Sequence, residues 1–142
     1  MTNQALTFAV TDVTSRRVIY AVEAASADQA GQMAASALCR TKPPASWHVE
    51  RLDKLPSDLA VEATAVLVGV RDGLNAVDTL LNAEGRDAVL KTLRPGQEDW
   101  DFEARNADAA GHRGIAKGSR EAYYRAYGRV ARCRAEQIED EG

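Results

Sequence analysis

Near the N-terminus hydrophobic and polar or small residues alternate, with Leu6, Phe8 and Val10 on one set of positions and Thr7, Ala9 and Thr11 on the other. A period of two marks a half-buried strand, because successive side chains of an extended backbone point to opposite faces. Val18, Tyr20 and Val22 repeat the pattern after the polar link Thr14, Ser15, Arg16 and Arg17, which predicts a β-hairpin. The period then changes. Ala30, Met33, Ala34, Ala37 and Leu38 recur at helical spacing, and Ser26 with Gln29 makes an S-x-x-Q capping box. A helix is therefore expected from about Ala27 to Cys39, with that stripe packed on one face of the hairpin. Pro43 and Pro44 end the connection that follows, because neither donates a backbone hydrogen bond. Trp47 to Leu52 reads as a third strand, with Trp47 and Val49 on one face and His48 and Glu50 on the other.

The second half is helical in pattern. Pro56, Ser57 and Asp58 signal a helix start with Ser57 as N-cap, and Asp58 and Glu62 complement the positive end of the helix dipole. Val66, Val70, Leu74, Val77 and Leu81 hold one face for more than four turns, and Gly69 and Gly73 sit four apart, where they permit close helix contact. Gly85 ends this helix, and Asp87 to Leu93 predicts a short one stopped by Pro95 and Gly96. Periodicity fades from Gln97 to Gly118. Ser119 is then an N-cap for a last helix whose buried stripe is Tyr123, Ala126, Tyr127, Val130, Cys133 and Ile138, with Arg125, Arg129 and Arg132 on its exposed side. The fold class is α+β: an N-terminal ββαβ unit over residues 1–55, then a helical part over 56–142 with an acidic tail, as two subdomains or one compact domain.

The ββαβ unit, with Ala24, Ser26 and Ala30 in an A-x-S-x-x-x-A segment opening its helix, resembles the small modules of short phage and mobile-element proteins. That resemblance covers about 50 residues. It implies a scaffold and, by analogy, an inhibitor of a bacterial nucleic-acid-handling or defence complex.

Composition is that of a soluble globular protein, 45% hydrophobic and 27% charged, with aromatics at only 6%, so the core should be rich in small residues. No basic, then apolar, leader follows Met1. The most apolar stretch, Leu59 to Leu81, carries Glu62, Arg71, Asp72 and Asp78, which argues for a buried amphipathic helix and against a membrane span. A cytoplasmic protein without membrane partners is expected. Cys39 and Cys133 have no CxxC partner or histidine at metal spacing, and two buried or half-buried free thiols are expected.

Charge supplies the clearest functional signal. Residues 103–134 hold eight Arg or Lys against three acids in a chain of net charge −3, and Glu136, Glu139, Asp140 and Glu141 reverse the sign directly afterwards. His112, Arg113, Lys117, Arg120, Arg125, Arg129 and Arg132 are the candidate partner- or anion-binding residues, and Asp99, Asp101 and Glu103 a candidate acidic docking surface. The glycine-rich run Gly111 to Ser119 lacks both the GxxxxGK[ST] spacing of a phosphate loop and a preceding apolar strand. The same run leading into Arg120, Tyr123, Tyr124 and Arg125 resembles the turn and recognition helix of helix-turn-helix proteins. With Gly111 as the turn glycine, however, Lys117 falls where a core aliphatic belongs.

No spacing of His48, His112, the cysteines or the carboxylates forms a triad or metal set, so neither a cofactor nor a catalytic residue is expected. These features point to a small non-enzymatic regulator or inhibitor that binds a protein or nucleoprotein partner. The alternatives are a DNA- or RNA-binding regulator using the basic segment, whose tyrosines would stack on bases, and an enzyme holding a metal on the Asp99 to Glu103 carboxylates. The helical stripe after Ser26 sets a first stability test: if Met33 and Leu38 are core residues, Met33→Ala and Leu38→Ala should each cost about 2 kcal/mol in denaturant titrations.

Overall fold

A computed structural model describes residues 6–93 and 120–141. The hairpin forms as its alternation requires, with β1 (Leu6–Asp12) antiparallel to β2 (Arg17–Ala24). In the turn the Thr14 amide donates to Asp12 Oδ1 at 2.9 Å and the Arg16 amide to the Asp12 carbonyl at 2.7 Å, with Arg16 in the left-handed region at φ 57°. The third strand, β3 (Trp47–Arg51), pairs antiparallel with the other edge of β1. The order is thus β2-β1-β3, and α1 (Ala27–Ala37) carries the chain from one edge strand to the other. Ser26 caps α1 as expected. The Gln29 amide donates to Ser26 Oγ at 3.1 Å, and Gln29 Oε1 accepts from the amide of Ala25, one residue before the cap, at 2.6 Å.

The register shifts between Val10, opposite Tyr20, and Thr11, opposite Val18. Ile19 is therefore an extra residue, a bulge that turns the end of β2 and leaves Val18, Ile19 and Tyr20 all buried.

The sheet is covered on both faces, where the alternation in β1 predicted one. Phe8 and Ala24 pack with Ala30 of α1. Ala9 and Ala21, paired across the strands, are fully buried in a cluster with Ala63, Val66 and Val70 of the next helix. Ala9 reads as part of a polar face only because alanine is too small to signal burial on its own. On α1 the buried residues are Ala30, Gly31, Ala34 and Ala35, while Met33 is 38% exposed and Leu38 half-buried. The inward face of α1 is thus rotated from the predicted stripe toward its smallest residues, because close approach to the sheet excludes a methionine.

Helix α2 (Ser57–Glu84) starts one residue earlier than expected, with Pro56 as N-cap and Ser57 already helical. Gly85, at φ 90°, ends it and passes the chain into α3 (Arg86–Leu93). The predicted Pro95–Gly96 stop and the Ser119 cap lie outside the described residues. The last helix, α4 (Arg120–Glu141), buries Tyr123, Ala126, Tyr127, Val130, Cys133 and Ile138 as its spacing requires. It also absorbs the acidic tail into its final turns. Arg86 donates to the carbonyls of Ile138 at 3.4 Å and Glu139 at 3.2 Å, placing a cation at the negative end of α4.

Gly69 and Gly73 set the contact between α2 and α4. A methyl group at Gly69 would lie 2.5 Å from the Tyr123 carbonyl oxygen, and one at Gly73 would lie 2.7 Å from both the Tyr127 oxygen and Val130 Cγ2. In that contact Tyr123 is fully buried and its hydroxyl donates to Asp72 Oδ2 at 2.7 Å, so the ring is packed without leaving a polar atom unmet. One cluster of buried residues runs from Val10 and Tyr20 in the sheet through Val66 and Val70 to Ala126 and Val130 in α4.

Cys39 and Cys133 are joined as a disulfide, with Cα atoms 5.7 Å apart, and are not the free thiols their sequence context predicted. They are 94 residues apart in sequence, and by chain entropy a loop of about 100 residues gives a cross-link worth up to about 4–5 kcal/mol. Among the described residues no helix is long and apolar enough to cross a membrane, and no group of three His, Cys, Asp or Glu is placed to hold a metal.

The glycine contact makes a definite prediction. Gly69→Ala and Gly73→Ala should each lower stability by about 1–3 kcal/mol in urea titrations, despite the gain of up to about 1 kcal/mol in helix propensity. A net gain would mean that the helices separate at little cost. Met33→Ala, by contrast, should now cost under about 1 kcal/mol, the range of a half-exposed side chain.

Candidate functional site

The last residues of α1 set up the site. Leu38 caps the helix, the Cys39 amide donates to the Ser36 carbonyl at 3.4 Å, and the Arg40 amide donates to the Ala35 carbonyl at 2.7 Å. This pair of reversed bonds is the Schellman ending, and its left-handed position, commonly glycine, is occupied by Cys39 at φ 57°. A side chain there costs on the order of 1–3 kcal/mol and persists where the surroundings impose it. Here the disulfide to Cys133 imposes it, and Gln137 Nε2 donates to the Ser36 carbonyl at 2.9 Å from the next turn of α4.

A cleft of about 440 Å³ opens beside this link. Its walls are Asp12, Ile19 and Trp47 at the end of the sheet, Leu38, Cys39 and Arg40 after α1, and Gly128, Arg129, Arg132, Cys133 and Glu136 along α4. The bulge brings Ile19 into the wall, and Trp47 is half-buried there. Three guanidinium groups thus meet two carboxylates. Arg132 Nε lies 3.4 Å from Glu136 Oε1, one helical turn away, a pairing of exposed groups that contributes little stability.

Arg129 lies on the exposed surface of α4. Partial desolvation of its guanidinium, followed by repulsion from Arg125, lowers its pKa from the usual arginine value, while Asp12 opposes the shift. Arg125 is half-buried one turn earlier, and its Nη1 is enclosed without a hydrogen-bond partner among the described residues. Cations held close together suit an anion, and planar guanidinium groups bind carboxylate or phosphate oxygens in pairs.

Of the residues picked out by charge, Arg129 and Arg132 line the cleft, Arg125 lies beside it, and Arg120 stands at the first turn of α4 away from it. His112, Arg113 and Lys117, together with Asp99, Asp101 and Glu103, lie outside the described residues. Part of the basic segment also pairs internally, as Arg134 lies 4.0 Å from Asp78 and 3.7 Å from Glu141. Charge patterning alone missed Asp12, Arg40, Trp47 and both cysteines. A local signal did exist: each cysteine has an arginine neighbour, in Cys39-Arg40 and Arg132-Cys133-Arg134.

No protein-family model, no curated protein and no solved structure matches the chain.

Removing the enclosed charge beside the cleft should not harm the fold. Arg125→Met keeps the aliphatic stem and deletes a buried donor without a partner, so thermal unfolding should show unchanged stability or a gain on the order of 1 kcal/mol. A loss larger than that would make Arg125 a structural residue.

Proposed function

We propose that the chain is a small, non-enzymatic cytoplasmic regulator or inhibitor that docks an acidic segment of a macromolecular partner against the arginine cleft. The observation that carries this reading is the grouping of Arg40, Arg129 and Arg132 around one concavity, with Arg125 holding an unmet donor next to it. Asp12 and Glu136 on the same walls can accept hydrogen bonds from the backbone amides of a bound peptide, donors that a phosphodiester backbone lacks. A protein segment therefore suits the site better than a nucleic acid. Trp47 favours a second reading, since an aromatic ring among arginines can stack a single-stranded base.

The two readings separate by fluorescence anisotropy with a labelled poly-glutamate peptide and a single-stranded DNA oligomer of matched length. The peptide should bind in the micromolar range at low salt, and Arg129→Glu with Arg132→Glu should weaken it by about tenfold or more, equivalent to about 1.4 kcal/mol. Tight oligomer binding at physiological salt, with a steep negative salt slope that flattens in Arg125→Ala and Arg129→Ala, would replace the protein-partner reading with the nucleic-acid one. Absence of binding to either probe would defeat both.

A further inference from the structure

We infer that the Cys39–Cys133 disulfide is a site of thiol–disulfide exchange with low-molecular-weight thiols, and that its redox state gates the arginine cleft. Three features of the structure converge on this. The two sulfur-bearing residues are themselves walls of the cleft, and each is adjacent in sequence to a cleft arginine, Arg40 after Cys39 and Arg132 before Cys133. The bond therefore holds the Arg40 side of the cleft to the Arg129 and Arg132 side. It is also the covalent part of the connection between the end of α1 and α4, where among the described residues Gln137 Nε2 donates to the Ser36 carbonyl at 2.9 Å. Finally, Cys39 occupies a left-handed position that favours glycine, so the chain carries a conformational cost at the residue that makes the link.

The two sulfurs are unequal. Cys39 is exposed and Cys133 is 5% exposed, so an incoming thiolate meets the Cys39 sulfur first. Its attack forms a mixed disulfide with Cys39, breaks the Cys39–Cys133 bond and expels Cys133 as a thiolate. Arg129 and Arg132 on the same walls favour that anion, as cations lower a thiol's pKa and make it a better leaving group. A second external thiolate attacks the outer sulfur of the mixed disulfide, leaving Cys39 as a thiolate that takes a proton and releasing the oxidised external disulfide. Two electrons pass to the protein sulfurs, and two molecules of external thiol are oxidised. With the link gone, the segment 38–46 and Arg40 separate from α4, and the cleft loses its third cation. In a reducing compartment, disulfides that form are typically transient and serve as sensors or catalysts, which suits a gate.

The gating rests on the cleft being the docking site, so its test reads the fold and the binding separately. Oxidised protein should show no maleimide-reactive thiol and, after a phosphine reductant, two. On reduction far-UV circular dichroism should hold, while hydrogen exchange across residues 38–46 accelerates and affinity for the labelled poly-glutamate peptide falls, each by about tenfold, within the usual range of coupling between sites. The double variant Cys39→Ser with Cys133→Ser should match the reduced wild type and ignore the reductant. Unchanged exchange and affinity on reduction would overturn the gate, as would reactive thiols before it. Loss of secondary structure on reduction would overturn it too, making the bond a structural staple. Faster exchange with no peptide binding in either state would uphold the redox opening and reject the acidic-partner reading instead.

Discussion

The close approach of α2 and α4 across Gly69 and Gly73 is the constraint on which the rest of the structure depends. With backbone oxygens of α4 where side-chain methyls would otherwise stand, only one rotation of α4 brings Tyr123, Tyr127 and Val130 into the seam. A helix turns about 100° per residue. Fixing those three residues therefore sends Arg125, Arg129, Arg132 and Glu136 to the opposite side and leaves Cys133 toward the end of α1. The cleft is thus a consequence of a contact made on the far side of the helix. The buried hydroxyl of Tyr123 on Asp72 reinforces the same rotation, since any slip of α4 would strand a polar atom in the core.

The sheet contributes the facing wall through small residues of its own. Ala9 and Ala21 let α2 lie close on one face, and Ala30, Gly31 and Ala34 do the same for α1 on the other. A three-stranded sheet sandwiched this tightly has little room for large side chains, which explains how a core with few aromatics can still fill. Met33 is displaced to the surface by the same logic. At the end of the sheet the bulge at Ile19 and the turn after α1 expose the edge that α4 then crosses, and there the arginines and the disulfide gather.

Charge acts differently in the two halves of α4. Arg134 pairs with Asp78 and Glu141, and Arg86 caps the helix end, so those groups are occupied within the protein. Arg129 and Arg125 have a different character: one is partly desolvated beside a like charge, the other keeps an unmet donor. Folding gains little from such an arrangement. A raw count of basic residues treats all of them alike, and only their neighbours separate the structural from the available.

What the chain's order alone determined was local. The strands read from Leu6–Val10 and Val18–Val22, the Ser26–Gln29 cap, the long stripe of α2, the Gly85 terminator and the Tyr123–Ile138 stripe each depend on residues within a few positions of one another, and each of these elements is found in the fold, although burial on both sheet faces and the bulge at Ile19 replace the strict alternation of the strands. The α+β class follows from them. What only the tertiary structure decided depends on residues far apart in sequence: that both faces of the sheet are covered, that Met33 faces outward, that Arg40, Trp47 and Asp12 meet Arg129 and Arg132, and that cysteines 94 residues apart are bonded. Backbone periodicity encodes which face of an element is apolar. It does not encode which element comes to cover that face, because that choice is made by shape and close packing once the glycines of α2 have brought α4 against them.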